Sequence, residues 1–255
     1  MLREGGYAMK VVCLIQARRN SYRLQNKVME KIGSRTMLQH VVERCQAITQ
    51  RFPVYVITPP QDRDLHPLAI APDCPEGDLL KRHLLAAKEL DADAVLRITS
   101  DCPFVDPDIA RDVLDLFLGG KYDYVANDVE PTYPDGLGVE IMTTEALDYA
   151  DRHLPPALEY DRTHVSPWVK YGVRSFNGPK GILKRFDGRN LRCPVPSLQD
   201  IKLSIDTPKE LALARAIWET GVLPDNTIRP MVHTLVAYRR VMDTMKYDET
   251  TQTFK

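Results

Sequence analysis

Between Gln16 and Lys27 the chain reads Q-A-R-R-N-S-Y-R-L-Q-N-K, with three arginines, a lysine and a serine and no acid to neutralise them. Arg18, Ser21, Arg23 and Lys27 offer charge-assisted donors of the kind that hold phosphoryl oxygens. A nucleoside triphosphate carries about four negative charges, and each close opposite-charge pair near a protein surface is worth roughly 4 kcal/mol before desolvation. The stretch therefore suits a polyanion, most plainly a triphosphate whose pyrophosphate departs. On charge alone a solvated basic turn is an equal reading. The loop is neither G-x-x-x-x-G-K-[ST] nor G-x-G-x-x-G, which disfavours an ATPase or a dinucleotide dehydrogenase.

Two aspartates lie where a cation would be needed. Asp101 ends R-I-T-S-D just past an apolar run, and Asp206 ends K-L-S-I-D in the same way. A carboxylate facing a triphosphate is repulsive unless a divalent cation lies between them, and Mg²⁺ typically takes one or two protein carboxylates. For each there is a plainer alternative. Asp101 suits a turn cap, and D-T-P opens a helix on its own merits. Asp106, before Pro107, reads as a helix cap. Further along, Asp135-Gly136 is a turn, Arg162 suits an anionic partner, and His164 suits proton transfer or a structural hydrogen bond.

The elements that must position these groups alternate. Strands are expected at Val11–Ile15, Val54–Thr58, Ala94–Thr99, Tyr122–Ala126 and Val139–Met142, then near Val173–Phe176 and Ile201–Ile205. Helices are expected at Met37–Ala47, Glu76–Leu90, Pro107–Leu118, Thr144–Arg152, Asp161–Tyr171, Thr207–Thr220 and about Met231–Met245. Asp62–Pro75 reads as loop, and the last ten residues as frayed. The pattern gives an α/β class with a mostly parallel central sheet flanked by helices. A single domain is expected over 9–225, with 9–126 as the nucleotide-binding half and 127–225 as the acceptor side, followed by a C-terminal helix and tail over 226–255. His40, His83, Tyr122, Tyr124 and Trp168 read as packing.

The 255 residues carry a net charge of −1, so no global field points to nucleic acid or an acidic membrane. No apolar run approaches a bilayer-spanning length, and no secretory signal is read. Five scattered cysteines without C-x-x-C spacing argue against a disulfide framework or zinc site and fit a cytoplasmic protein.

Five ordered segments together resemble the cytidylyltransferase family of the spore-coat polysaccharide biosynthesis type, related to the CMP-sialic acid and CMP-Kdo synthetases. They are Ile15–Lys27, R-I-T-S-D-C-P-F-V-D (Arg97–Asp106), Y-P-D-G-L-G-V-E (Tyr133–Glu140), R-T-H-V-S-P-W (Arg162–Trp168) and S-I-D-T-P-K-E-L (Ser204–Leu211). The resemblance implies a Rossmann-like nucleotidyltransferase fold and transfer of CMP from CTP to a small anionic acceptor: a sugar acid, phosphonate or other acid. It implies Arg18 and Lys27 on the phosphates and Mg²⁺ on Asp101 and Asp206. It places Gln16, Ala17, Ser21 and Arg23 in the nucleotide loop, with Asp78, Arg82 and Thr99 near base or ribose. The acceptor would meet Asp135, Glu140, Arg162 and His164, and a homodimer is expected. Asn20 and Gln25-Asn26 replace glycine and Pro-Gly of similar proteins, so the loop should adopt positive φ less readily. Ser100, Gly138 and Thr163 depart as well, and the last two lie in the region that should meet the acceptor, which leaves the acceptor open. A metal-dependent nucleotide-sugar glycosyltransferase and an inactive nucleotide-binding relative are the competing readings.

Overall fold

An apolar, branched run forms the interior strand β1 (Val11–Gln16), buried along nearly its whole length between β4 and β6. The structure is a computed structural model describing residues 9–48, 52–155, 158–178, 183–195, 198–221 and 231–254. After β1 come a 3-10 turn (Lys27–Met29), the hairpin β2 (Lys31–Ile32) and β3 (Arg35–Thr36), and α1 (Met37–Ile48). Next are β4 (Val54–Ile57), a 3-10 segment (Pro60–Leu65), β5 (Ala69–Ile70), α2 (Leu79–Glu89), β6 (Ala94–Thr99) and α3 (Pro107–Gly119). The chain continues through β7 (Tyr124–Ala126), β8 (Glu140–Thr143), α4 (Thr144–His153), α5 (Glu159–His164), α6 (Pro167–Gly172) and β9 (Gly188–Asn190). It ends with α7 (Pro208–Glu219), α8 (Met231–Thr244) and the hairpin β10 (Tyr247–Asp248) and β11 (Thr253–Phe254).

The central sheet runs β5-β4-β1-β6-β8-β7-β9. Every neighbouring pair is parallel except those made by β8, which enters antiparallel between β6 and β7. Alternate side chains of β1 serve two cores. Val11, Cys13 and Ile15 pack with α1 and α3, and Val12 and Leu14 with α2 and α4. A third core joins Met37, Phe104, Leu137, Leu203 and Ile205 to α7 and α8. Helix starts follow their cap residues. Asp106 accepts the N–H groups of Asp108 and Ile109, and Thr207 and Glu210 form a reciprocal capping box at α7.

Four expectations need correction. Asp62–Pro75 is not loop throughout, since it holds the end of the 3-10 segment Pro60–Leu65 and the edge strand β5, which pairs with β4. Ile201–Ile205 is not a ladder strand: it makes an isolated bridge, Asp135 with Lys202, because its backbone threads between two loops. Val173–Phe176 likewise contributes only a bridge, Val173 with Phe186. The C-terminal ten residues are not frayed up to Phe254, since Tyr247 and Phe254 pair across a hairpin and Phe254 packs on the third core. No helix among the described residues is long and apolar enough to cross a membrane, and all five cysteines are free.

Candidate active site

β1 and β6 are parallel neighbours with Gln16 beside Thr99. The loops that follow them leave the same sheet edge side by side, which sets Arg18 and its neighbours next to Asp101. The Ile205 N–H donates to the Asp101 carbonyl at 2.9 Å and so ties the segment before Asp206 to that loop. The result is a convergence of groups 74 and 179 residues apart. Lys27 Nζ lies 3.1 Å from Asp101 Oδ2 and 3.0 Å from Asp206 Oδ1, and donates to the Ile205 carbonyl at 3.0 Å.

The basic loop is held by a residue the sequence reading left without a role. The Arg19 carbonyl accepts from the N–H groups of Ser21 and Asn26, both at 2.9 Å. Its own N–H donates to Asp62 at 2.8 Å, and its guanidinium grips Asp64 with bonds of 2.7 and 2.8 Å. Asn26 takes the left-handed conformation at φ 54°. The expected loss of positive φ is therefore corrected: asparagine reaches αL at small cost and stands in for glycine there.

Gln16, Ala17, Arg18, Ser21, Arg23, Lys27, Arg82, Thr99, Asp101, His164 and Asp206 line one cavity of about 380 Å³. The Ala17 N–H is already given to the Ile57 carbonyl. Arg18 reaches Glu76 at 3.3 Å, and Arg23 reaches Asp206 at 3.2 Å. Arg82 is buried on this wall, donates to the carbonyls of Pro75 and Glu76, and leaves its Nε without a partner. Such an orphan donor is costly unless something polar meets it. Burial raises the Asp206 carboxyl, but Lys27 and Lys202 outweigh it and hold the group below the ordinary aspartate range.

Asp78 and Arg162 stand behind this wall and face each other. Asp78 caps α2 through the Lys81 N–H and accepts from Arg162 at 2.8 Å, while Arg162 also binds Asp151 at 2.6 Å. Glu140 has partners other than an acceptor as well. It is buried directly across the β6–β8 register from Arg97, pairs with that guanidinium, and accepts from Tyr124 at 2.5 Å. Burial would push its carboxyl up. Arg97, with hydrogen bonds from Ser166 and Tyr124, holds it below the usual range. Arg97 in turn donates to Gln16 Oε1 at 3.2 Å.

His164 Nδ1 lies 2.8 Å from the Tyr160 carbonyl, which only accepts, so the neutral ring carries its proton there and leaves Nε2 as an acceptor. The next residue, Val165, is a buried γ-turn at φ 70°, ψ −63°, closed by the Ser166 N–H on the His164 carbonyl at 2.8 Å. Asp135 lies apart, on a neighbouring recess of about 270 Å³ that also includes Asp128, Gly136 and Gly138. Gly136 is required there: at φ +98° a Cβ would stand 2.5 Å from the Ser204 nitrogen. Lys202 joins the two spaces, 3.3 Å from both Asp135 and Asp206.

No group of three or more acids, histidines or cysteines among the described residues forms a metal nest. Asp101 and Asp206 nonetheless both reach one cationic nitrogen within 3.1 Å, so their oxygens converge on a point fit for a hard cation. Two carboxylates, with the remaining positions left to phosphate and water, are a donor set Mg²⁺ accepts. Arg97, Arg19 and Lys202 are the residues missed from sequence. The signal for Arg97 was present, since an arginine inside an apolar strand requires a buried acid partner.

A family model described as Cytidylyltransferase matches residues 12–64. The chain is 26% identical to the 8-amino-3,8-dideoxy-manno-octulosonate cytidylyltransferase of Shewanella frigidimarina, over 76% of this chain and 83% of that one. It is 24% identical to the spore coat polysaccharide biosynthesis protein SpsF of Bacillus subtilis, covering 84% and 89%. The solved structure of a cytidylyltransferase from Leptospira borgpetersenii superposes with a TM-score of 0.78 at 25% identity, covering 92% of this chain and 96% of that one.

Proposed function

Because the chain belongs to the cytidylyltransferase family, related to the spore-coat polysaccharide and CMP-sugar acid synthetases, we propose that it transfers CMP from CTP to a small anionic acceptor, releases pyrophosphate and requires Mg²⁺. The observation that carries this reading is the meeting of Lys27, Asp101 and Asp206 at one end of the cavity that Arg18, Arg23 and Arg82 line.

An acceptor oxygen attacks the α-phosphorus in line, the α–β phosphoanhydride bond breaks, and its electron pair leaves on pyrophosphate. Arg18, Arg23 and Lys27 bind the phosphates and offset charge on the departing group, with Ser21 as a neutral donor. Asp101 and Asp206 would hold Mg²⁺, which would supply Lewis-acid neutralisation of phosphate charge. Gln16, Thr99 and Arg82 take the base and ribose. Asp78 and Arg162 brace that wall, and Glu140 sets Arg97 against Gln16. Asp135 lies on the acceptor side beside Lys202. An acceptor carboxylate or phosphonate is already ionised at neutral pH and needs no base. For a hydroxyl, His164 Nε2 takes the proton.

The Shewanella relative is named for an amino sugar acid acceptor, so acids of that class head the panel. Incubation with CTP, Mg²⁺ and each of a panel of small acids should release pyrophosphate and form the CMP conjugate. UDP-sugar turnover instead would favour the glycosyltransferase reading, and CTP binding without product from any acid would favour the inactive relative.

A further inference from the structure

We infer that the Lys27 ammonium is a resident counter-ion which holds the place of the divalent cation between Asp101 and Asp206, so that cation and triphosphate bind as a coupled pair. The inference rests on the proposed CTP- and Mg²⁺-dependent reaction and concerns the order and linkage of binding.

A lysine ammonium has three N–H donors. Lys27 has three acceptors: Asp101 Oδ2 at 3.1 Å, Asp206 Oδ1 at 3.0 Å and the Ile205 carbonyl at 3.0 Å. No donor is left for a phosphate oxygen until at least one of these contacts breaks. The side chain is only 12% exposed, so a displaced ammonium cannot simply swing into water. Asp206 is further covered by Arg23 at 3.2 Å on the same oxygen and by Lys202 at 3.3 Å on the other.

Either ligand alone meets an obstacle. A divalent cation arriving first finds both carboxylates neutralised and must push a confined ammonium against its own charge. A triphosphate arriving first draws Lys27 and Arg23 away and uncovers two carboxylates facing a polyanion. Together each removes the other's obstacle: the phosphates take the lysine, and the freed carboxylates take the cation. Coupling of this kind is reciprocal, each ligand tightening the other by the same factor. A lysine that served only as a phosphate contact or a structural brace would give no such exchange.

The test is Mn²⁺ binding to the nucleotide-free protein, read by electron paramagnetic resonance as loss of the free-ion signal. Lys27→Met should bind Mn²⁺ about tenfold or more tightly than the unsubstituted protein while losing CTP affinity, two effects of opposite sign. The gain should vanish in Lys27→Met with Asp101→Asn. A folded Lys27→Met with no gain overturns the inference. If that variant does not fold, Arg23→Ala and Lys202→Ala, each on an exposed arm, carry the test: a several-fold gain supports the exchange and none overturns it. Absence of CTP binding to the unsubstituted protein with Mn²⁺ would instead overturn the cytidylyltransfer reading, while the cation gain would still report on Lys27.

Discussion

Replacing Glu140 by alanine should damage the fold more than the chemistry. The carboxylate is buried, pairs with Arg97 across the β6–β8 register and accepts the Tyr124 hydroxyl at 2.5 Å. Removing one partner of a buried ion pair costs about 3–5 kcal/mol, because the other charge stays buried without compensation. Orphaning the Tyr124 hydroxyl adds about 1–3 kcal/mol where it finds no new acceptor. With a working figure of about 4 kcal/mol, and 2–4 °C per kcal/mol for a chain of this size, Tm falls by roughly 8–16 °C. Glu140→Gln keeps the shape and an acceptor, so its loss should be smaller. Thermal melts by circular dichroism, with urea titration for the midpoint, measure both. A Glu140→Ala protein that melts within about 2 °C of the parent but no longer responds to acceptor would refute the reasoning and return Glu140 to the acceptor.

Other perturbations separate the remaining roles. Asp101→Asn should abolish pyrophosphate release with CTP and Mg²⁺ while its circular dichroism and Tm stay unchanged; near-normal turnover would remove Asp101 from the mechanism. Lys27→Ala should weaken CTP binding roughly ten- to hundredfold and CMP binding much less, by calorimetric titration; equal losses would contradict its place at the pyrophosphate. Arg19→Ala should raise KM for CTP by up to roughly tenfold with little change in kcat, because Arg19 braces the loop through Asp62 and Asp64. Asp128 tests the recess electrostatics. Loss of solvent on its recess-facing side and the charge of Glu140 push its carboxyl up to about 6 from 3.8. The folded state therefore binds the extra proton between those values, and stability falls as pH rises through that window and stays lower above it. Asp128→Asn should be more stable than the parent at about pH 7.5, with the gain shrinking by about pH 4.5. Its side chain is 44% exposed, so solvent screening keeps the effect small. A gain that is flat with pH would contradict this assignment.

The parts of the fold legible in the sequence were those with a strong local cause. Val11–Gln16 and Ala94–Thr99 are apolar enough to be strands in any context, and Asp106-Pro107 and Thr207-Pro208 mark helix starts by capping chemistry. The cationic loop and Asp101 could be set side by side from residue types, because β1 and β6 are parallel neighbours that deliver their following loops to one edge. Asp206 could be named by type but arrives through a backbone bond from Ile205 to Asp101. What the sequence hid depends on long-range partners. The 201–206 segment looks like a strand by alternation, yet its neighbours are the Asp135 and Asp101 loops rather than a ladder. Glu140 and Arg162 have the chemistry of ligand contacts, and only the register across β6 and the approach of Asp78 and Asp151 reveal that they are already paired. The role of Arg19 is similarly invisible until the 3-10 segment brings Asp62 and Asp64 against it.

The most direct test is a crystal structure with Mn²⁺ and a CTP analogue whose α–β bridge cannot be cleaved, with the metal located by its anomalous signal. The expected result is a peak between Asp101 and Asp206, Lys27 moved onto the phosphates, and the base toward Arg82. A triphosphate bound elsewhere, or one bound in this cavity with Lys27 still joined to both aspartates and no metal peak there, would contradict the account.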